Sequence, residues 1–510
     1  MDHVRPLRHS ASFPRSCNGG RHWRQLGERQ CQVYRSRTRK RSGGCEKLKS
    51  CDSGYHDRVS YFLPFAKQTR FAAVFILYLF TVFAQADDWP QWRGPNRDGV
   101  WRETGVVQRL PEQLTFRWKT PIGGGFAGPA VVGDRVYVAD RAVADKESVP
   151  ESRWNVTDPV NGSERILCLD GDTGKILWKH EYKRVYTISY PIGPRATPTV
   201  AHGKVYSVGA MGDLVCLDAD RGAVIWSKNY PSDFGTQINP WGMASAPLVD
   251  GQQLIILAGG ENGACVLALD KDTGDEIWRS LDAVDPGYSS PILIEAGGTR
   301  QLIVWNPLGL YSLDPASGKV NWHQPFATKM GHSVATPVYN ARHGRLFVSS
   351  FFDGPLMMQL SADSPTAEFL WKGSSQSELA RNTDKLHALM CTPSIVGDRI
   401  YGVCSYGQLR CLDAGTGRRI WETLEATGEG RWWTAFLVQH QGRFFIFNEQ
   451  GELIIARLSS EGYEEISRAP LIAPTHKVGR RMVVWSHPAF ANRRVYARND
   501  REIVCADLAQ

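Results

Sequence analysis

The chain alternates short apolar segments with polar turns, and this pattern repeats along most of its length. Within residues 197–228, apolar side chains alternate with polar ones over four segments that Gly and Asp turn residues separate. The pattern predicts strand A at 199–201, strand B at 204–208, strand C at 214–218 and strand D ending at Trp226. Four short antiparallel strands therefore make up one unit of the predicted fold.

The turn between strands C and D is the most regular part of the unit. The sequence ILCLDGDTGKILWK at 166–179 returns with few changes at 214–228, 266–280, 310–324 and 409–423. The recurring Asp can accept hydrogen bonds from backbone N–H groups just ahead of it, and the recurring Gly tolerates a left-handed backbone. Repetition of this kind indicates an architecture built from one supersecondary unit.

A Trp near the end of strand D marks seven of the units. A weaker eighth unit begins at 434–458 and has Ile466 where the Trp would stand. One four-stranded sheet cannot bury both of its faces alone, so the sheets must stack radially, with each large aromatic side chain wedged against the next sheet. We therefore predict a structural docking role for Trp118, Trp178, Trp226, Trp278, Trp322, Trp371 and Trp421.

The two ends of the repeat region complement each other. The last unit stops at Gln510 after strand C, whereas LTFRWK at 114–119 has the pattern of a strand D. An N-terminal strand that completes the C-terminal blade closes a ring and removes the open sheet edges. The prediction is an all-β fold, an eight-bladed β-propeller of four-stranded antiparallel blades over 114–510. An N-terminal strand D closes it, and 87–113 is an irregular segment that packs on it.

The N-terminal region predicts export. Residues 71–84 carry no charge, and Ala84-Gln85-Ala86 follows as an A-x-A cleavage pattern, so 71–86 has the layout of a secretory signal peptide. A membrane-spanning helix needs about 20 apolar residues, so membrane association is expected only if this segment stays uncleaved. We expect a periplasmic or secreted protein.

Charge is concentrated in the leader that precedes this segment. Residues 1–70 carry 16 Lys and Arg side chains against 5 Asp and Glu, while the rest of the chain carries 44 and 47. The nearly neutral body argues against a nucleic-acid partner. The basic leader has two interpretations. Either translation starts later, at a non-Met codon such as that of Val59, or residues 1–70 form a disordered cytoplasmic tail.

The cysteines give no redox or metal motif. Four of the 11 occupy one repeat position, two residues before the recurring Asp, and are expected to fill the core as small apolar side chains. These four are Cys168, Cys216, Cys411 and Cys505. The chain has no CxxC motif and no adjacent Cys pair, so haem, zinc and dithiol chemistry lack support.

The D-x-x-T-G-x-x-x-W phrase resembles the tryptophan-docking motif of the pyrroloquinoline-quinone (PQQ) propeller superfamily. The sequence Trp-Pro-Gln-Trp-Arg-Gly-Pro at 89–95 is also similar to the start of secreted PQQ-like repeat proteins of planctomycete-type bacteria. The superfamily includes quinoprotein alcohol dehydrogenases and non-enzymatic scaffolds such as the lipoprotein of the outer-membrane protein assembly machine. The resemblance therefore implies a propeller, and it leaves both kinds of function open.

Loops that lead into strand A gather on one face of a propeller, around its axis. In this chain they carry aromatic, Arg and His side chains, which could hold a planar, acidic ligand or simply pack neighbouring blades together. Phe126 lies in the first such loop. The candidate ligand-binding residues are Arg195, Trp241, Tyr288, His332, His387, Trp432, Trp433, Trp485 and His487.

A quinoprotein dehydrogenase implies further groups. The resemblance implies a calcium ion held by carboxylate and amide oxygens, an Asp base and commonly a ring formed by two adjacent cysteines. No adjacent cysteines exist here, and Asn239, Asp285 and Asn306 are the nearest approach to a set of calcium ligands. We therefore predict no catalytic residue, no metal site and no cofactor, with PQQ and calcium as the alternative.

Two hypotheses for function follow. The first is an exported, non-catalytic PQQ-like propeller that binds an envelope protein, peptide or saccharide. The alternative is a PQQ- and calcium-dependent oxidoreductase of the alcohol dehydrogenase type. Long insertions at 140–165 and 372–391 are expected on the loop face, where they either bind a partner or serve as disordered decoration.

Overall fold

The computed structural model describes residues 87–143 and 158–510, and within them eight four-stranded antiparallel sheets form a β-propeller. This arrangement confirms the predicted fold class. The leader, the apolar segment 71–86 and part of the first insertion lie outside the described residues. None of the helices in the described part is long or apolar enough to cross a membrane.

The N-terminal half of the propeller supplies the first strand and four complete blades. The closing strand is β1 (Phe116–Pro121). Blade one comprises β2 (Ala130–Val132), β3 (Arg135–Ala142), β4 (Ser163–Asp170) and β5 (Ile176–Lys183). Blade two comprises β6 (Thr199–Ala201), β7 (Lys204–Val208), β8 (Asp213–Asp218) and β9 (Val224–Asn229), followed by helix α1 (Tyr230–Phe234). Blade three comprises β10 (Leu248–Asp250), β11 (Gln253–Leu257), β12 (Val266–Asp270) and β13 (Glu276–Ser280). Blade four comprises β14 (Ile292–Ala296), β15 (Thr299–Asn306), β16 (Gly309–Leu313) and β17 (Val320–Pro325).

The C-terminal half supplies the other four blades. A 3₁₀ turn (Lys329–Gly331) precedes blade five, which comprises β18 (Val338–Asn340), β19 (Arg345–Ser350), β20 (Gly354–Leu360) and β21 (Ala367–Lys372). A second 3₁₀ turn (Ala380–Asn382) precedes blade six, with β22 (Ser394–Val396), β23 (Arg399–Val403), β24 (Leu409–Asp413) and β25 (Arg419–Thr423). Blade seven comprises β26 (Ala435–His440), β27 (Arg443–Asn448), β28 (Glu452–Leu458) and β29 (Tyr463–Pro470). A hairpin of β30 (His476–Val478) and β31 (Arg481–Val483) leads to β32 (Ala489–Ala491), β33 (Arg494–Arg498) and β34 (Glu502–Asp507) of blade eight.

The ring closes as the sequence predicts. Strand β1 pairs antiparallel with β34, so that Trp118 lies opposite Cys505 and Lys119 opposite Val504. The indole Nε1 of Trp118 donates to the carbonyl of Gly171 in blade one, at 2.8 Å. Strand β1 therefore completes blade eight by strand pairing. The side chain of Trp118 on this strand then joins blade eight to blade one.

Docking between blades depends on the turn sequence. The Oδ1 of Asp170 accepts from the backbone N–H of Thr173 at 2.8 Å, and Gly174 then adopts a φ of +70°. A Cβ at Gly174 would lie 2.6 Å from the ring of Trp118, so only Gly leaves room for the tryptophan of the preceding blade. The same close approach occurs between Gly222 and Trp178.

Cross-strand triplets pack the same interfaces. In blade one, Tyr137, Cys168 and Trp178 lie opposite one another on strands B, C and D, with the small thiol between two aromatic rings. The pairing of strands C and D shifts by one residue between Cys168 and Leu169. This shift is a β-bulge, and it lies just before the tryptophan of strand D. The four repeat cysteines are buried and unpaired, as predicted for core side chains.

Trp322 departs from the docking pattern. The other six indole Nε1 atoms donate to a carbonyl of the following blade. The Nε1 of Trp322 instead donates to the Gln301 side chain of its own blade, at 3.0 Å. The following blade has the turn sequence SADSPT at 361–366 in place of the D-x-x-T-G turn.

Residues 89–101, which we call the axial segment, lie in the central channel. Their backbone and side chains contact the innermost strand of every blade, or the loop that leads into it. These partners, in blade order, are Val131, Val200, Pro247, Pro291, Thr336, Thr392, Gln439 and Phe490. A segment of this length can reach all eight blades only from the axis, so it fills the channel.

Two residues anchor the axial segment. The fully buried guanidinium of Arg97 donates to the carbonyls of Ala246 at 3.2 Å and Pro291 at 3.0 Å, and also to that of Pro247. Trp101 is buried with its ring 5.1 Å from that of Phe490. Carbonyl caging and aromatic packing together hold the segment against blades on opposite sides of the axis.

Candidate functional site

The loops that lead into the eight innermost strands line a cavity of about 230 Å³ at one end of the axis. We call this the axial cavity. Each blade contributes at least one lining residue, because each innermost strand begins beside the axis. Trp92 of the axial segment also lines it, with its Nε1 donating to Thr336 Oγ1 at 2.8 Å. The axial segment therefore closes the cavity on the channel side.

Most of the candidate residues lie together here. Phe126 lines the axial cavity, and so do seven of the nine predicted ligand-binding residues. These seven are Arg195, Trp241, Tyr288, His332, Trp432, Trp485 and His487. Their convergence follows from propeller topology, and ligand binding by them stays a prediction.

His387 and Trp433 lie outside the cavity lining. His387 is fully buried, with Nδ1 3.1 Å from the carbonyl of Phe351, so it packs inside the loop between blades five and six. Trp433 packs against Gly407 and lies under the guanidinium of Arg481, 5.7 Å from its ring centroid. Neighbouring side chains in a loop point in different directions, which explains why Trp432 faces the cavity and Trp433 does not.

Several lining residues carry no sequence signal. Trp92 reaches the cavity from the far end of the chain, and Tyr190 and Phe436 stand in a loop and a strand without a distinctive pattern. Leu389 and Met390 belong to the long insertion at 372–391, which thereby forms one wall. The corresponding part of the first insertion, 144–157, lies outside the described residues.

Aromatic rings form two opposite parts of the wall. The ring of Trp241 lies 5.1 Å from His332 and 6.0 Å from Tyr288, both edge to face. The ring of Trp485 lies 5.7 Å from Tyr190. Edge-to-face contacts of this kind stabilise pairs by about 0.5–1.5 kcal/mol beyond area burial, so the wall is pre-organised.

Glu449 positions Trp485. Its Oε2 accepts from the indole Nε1 of Trp485 at 2.9 Å, and its Oε1 accepts from Arg481 Nε at 2.6 Å. Burial raises the pKa of Glu449, while these two donors act to lower it. The carboxylate is thus satisfied by partners behind the wall and does not line the cavity.

Arg195 is the cationic side chain of the wall. Its guanidinium donates to the carbonyls of Ser189 at 2.6 Å and Tyr190 at 2.7 Å, and to that of Gly193. The guanidinium carbon Cζ of Arg195 lies 5.3 Å from the ring centroid of Phe126. Burial lowers the pKa of Arg195 to about 10, so it remains protonated at neutral pH.

The two histidines of the wall are neutral at pH 7. Burial lowers the pKa of His487 to about 3 and that of His332 to about 4, with smaller contributions from the charges of Arg93 and Arg431. Nε2 of His487 and Nδ1 of His332 are buried without a hydrogen-bond partner among the described residues. Both nitrogens are therefore unsatisfied buried groups.

The buried histidine predicts a loss of stability in acid. The folded pKa of His487 lies below its unfolded value of about 6.5, so the unfolded chain binds more protons as the pH falls and stability is lost from about pH 6.5 downward. His487→Phe keeps an aromatic ring and removes the titration. We expect the fall in unfolding free energy between pH 7 and pH 5, measured in urea, to be smaller by about 2 kcal/mol in this variant.

His343→Phe serves as the control for this measurement, because it alters a half-buried side chain at a distant turn. The unfolding free energy of this control should fall between pH 7 and pH 5 by as much as that of the unaltered protein. An equal fall in His487→Phe would contradict the assignment of the acid sensitivity to His487.

Two cavity aromatics occupy strained backbone conformations. Tyr190 has a φ of +53° and Trp432 a φ of +68°. Bulky residues rarely adopt this left-handed region, at a cost of about 1–3 kcal/mol each, and such strain concentrates at functional sites. Here it sets two large rings on the wall of one cavity.

The wall does not fit a quinone cofactor with calcium. Calcium requires several convergent oxygen ligands, and the lining has no carboxylate and no carboxamide. Asn239 donates to Asp285 at 2.9 Å away from the lining, and Asn306 Oδ1 accepts from the backbone of its own turn. Within 87–143 and 158–510, no group of three His, Cys, Asp or Glu side chains could hold a metal ion.

The chain belongs to the PQQ-like β-propeller family. A family model described as outer membrane protein assembly factor BamB matches residues 162–423 and 341–510, which together exceed half of the chain. Among proteins of curated function, none matches the sequence significantly.

One solved structure shows the same fold, and two others are similar to a lower degree. BamB from Moraxella catarrhalis is 15% identical, with a TM-score of 0.51, over 77% of this chain and 99% of that one. Quinohemoprotein alcohol dehydrogenase from Comamonas testosteroni is 12% identical, with a TM-score of 0.38, over 83% and 80%. A europium-containing methanol dehydrogenase is 13% identical, with a TM-score of 0.41, over 82% and 89%. At 15% identity the likeness to the Moraxella catarrhalis structure concerns the fold alone.

Proposed function

We propose that this protein is an exported, non-catalytic PQQ-like propeller that acts as a binding module in the cell envelope and takes its ligand in the axial cavity. The observation that carries the proposal is the cavity itself. All eight blades build it, Trp92 closes its inner end, and two of its imidazole nitrogens have no partner among the described residues. A concave, mainly aromatic wall with a few polar groups is typical of binding sites.

The chemistry of the wall supports binding over catalysis. General acid–base catalysis is most efficient when the pKa of the catalytic group lies near the working pH. His332 and His487 have pKa values of about 4 and 3, and the lining contains no Asp, Glu or Cys. A quinoprotein oxidoreductase is disfavoured because the wall offers calcium no set of oxygen ligands.

Two observations support a role in the envelope. The sequence at 71–86 has the layout of a signal peptide, and the matching family model is described as an outer membrane protein assembly factor. The ligand that fits best is a peptide of an envelope protein that places one side chain or its chain end in the cavity, since the volume is about 230 Å³. A saccharide fits less well, because its hydroxyl groups need more hydrogen-bonding side chains than this wall supplies.

Site-specific crosslinking in the native host tests this proposal. Benzoylphenylalanine replaces Trp241 on the cavity wall, with Phe369 as the matched control because it is an exposed aromatic residue on the outer strand of blade five. We expect a crosslinked adduct in the envelope fraction from position 241 and none from position 369. The exported protein should begin at Asp87.

A different outcome would overturn the proposal. If position 241 gave no adduct, and the purified protein took up PQQ with calcium and reduced a dye in the presence of alcohols, the oxidoreductase alternative would replace it. Cytoplasmic retention of the whole chain would contradict export.

A further inference from the structure

The axial cavity combines an apolar wall with a single fixed charge. Among the described lining residues, Arg195 is the only one charged at neutral pH, because both histidines are neutral and no acidic side chain is present. The other lining residues are mostly aromatic or aliphatic. In such surroundings the water that normally stabilises a cation is largely excluded.

Carbonyl groups hold the guanidinium of Arg195 but leave its charge in place. The acceptors from Ser189, Tyr190 and Gly193 account for three of its five N–H groups. Arg195 forms no ion pair with the carboxylates in the part of the chain that the structure describes. The buried Glu164 interacts with Arg195 through its charge, but it makes its hydrogen bonds elsewhere, to Tyr182 for example, and does not line the cavity. A bound anion would be the first countercharge in direct contact with Arg195.

The two imidazoles of the wall add no charge to that of Arg195. His487 is 4% exposed, and its Nδ1 lies 2.5 Å from the carbonyl of Pro488, which assigns the proton to Nδ1. Its Nε2 is then an acceptor, and it has no partner among the described residues. As an unpaired buried acceptor this nitrogen costs about 1–3 kcal/mol.

The size of the cavity limits the ligand to one ring and a short arm. Its volume is about 230 Å³. An apolar protein cavity of about 150 Å³ is large enough to bind benzene. A phenyl or indole ring therefore fits between Trp241 and Trp485, with room for a group of a few atoms directed to Arg195.

We infer that the axial cavity binds an apolar ring that bears a carboxylate, with the ring against the aromatic wall and the carboxylate on Arg195. This inference rests on the proposed function, since it names the chemistry of the ligand. Two sources share this chemistry, a free aromatic acid and the C-terminal aromatic residue of a peptide.

Calorimetric titration at pH 7 with two matched pairs of compounds tests the inference. The first pair is 3-phenylpropionate and 3-phenylpropionamide. The second is the tripeptide Ala-Gly-Phe with a free carboxylate and the same tripeptide with a C-terminal amide. We expect the acid of at least one pair to bind at least tenfold more tightly than its amide. The pair in which the acid binds more tightly than its amide identifies the source of the ligand.

Variants of Arg195 test whether the carboxylate of the ligand binds to this side chain. Arg195→Met should weaken binding of the acid at least tenfold and leave binding of the amide unchanged. Arg342→Met, at an exposed turn remote from the cavity, should change neither. If Arg195→Met does not fold, Arg195→Lys keeps the charge without the planar fork, and the acid–amide comparison in the unaltered protein still decides the question.

Failure of the inference can be distinguished from failure of the proposed function. Equal binding of acid and amide, or no binding of either, would overturn the inference. The crosslink at position 241 does not require a carboxylate, so its presence would uphold axial binding even then, and its absence would count against the function itself.

Discussion

Replacing Trp118 with Ala is expected to lower the free energy of unfolding by about 3–5 kcal/mol, the range for large aromatic side chains deleted from a core. Trp118 is 7% exposed, and its ring lies against the turn at Gly174. Its Nε1 donates to Gly171, so the substitution also removes the side-chain bond that joins blade eight to blade one. Equilibrium unfolding in urea, followed by near- and far-ultraviolet circular dichroism, measures the change.

Trp322→Ala is the matched control, because it removes the same side chain at the same position of another blade. Trp322 is half-buried and bonds to Gln301 of its own blade. Its loss should cost about 1–2 kcal/mol, since less apolar surface returns to water. Equal costs for Trp118 and Trp322 would contradict the claim that the closing junction depends on the docked indole.

The blades could be predicted from the sequence because each repeat contains the residues that form its turn and dock it on a neighbouring blade. An Asp that caps its own turn and a Gly with a left-handed backbone lie four residues apart, as Asp170 and Gly174 do. The Trp four residues further on, Trp178, packs over the equivalent Gly222 of the next blade. For 197–228, strands A and B match the prediction, while strand C starts one residue earlier, at Asp213, and strand D continues to Asn229. Strand ends depend on neighbouring loops, which explains these small differences.

The axial segment could not be predicted in the same way. Its partners, such as Pro291 and Gln439, lie 194 and more residues away in sequence, and the segment has no periodicity of its own. The Trp-Pro-Gln-Trp phrase at 89–92 indicated a family resemblance, and only the closed ring shows which carbonyls it meets. Trp92 was missed as a cavity residue for this reason.

The candidate site was predicted in part, because propeller topology alone brings the loops before strand A to the axis. Topology does not fix side-chain direction within a loop. His387 turns toward the carbonyl of Phe351, and Trp433 turns toward Arg481, whereas Trp432 faces the cavity. Burial and hydrogen bonding of individual side chains decide these directions, and neither can be read from spacing.

Because the axial segment fills the channel, we expect a second large loss of stability when one of its buried side chains is removed. Trp101 is 1% exposed, and its ring packs 4.9 Å from His440, 5.3 Å from Phe445 and 5.1 Å from Phe490. These partners belong to blades seven and eight, so the indole bridges two blades at the inner end of the channel. If the segment is part of the core, its Trp must contribute as much as a blade Trp does.

Trp101→Ala is therefore expected to lower the free energy of unfolding by about 3–5 kcal/mol in the same urea measurement. Arg102→Ala, at the residue that follows the axial segment, is the control, because Arg102 is half-exposed and its pair with Asp98 lies at the surface, where such pairs contribute about 0–1 kcal/mol. A small effect of Trp101→Ala, close to that of Arg102→Ala, would show that the segment rests on the propeller without stabilising it. A large effect would mean that the floor of the axial cavity forms together with the ring.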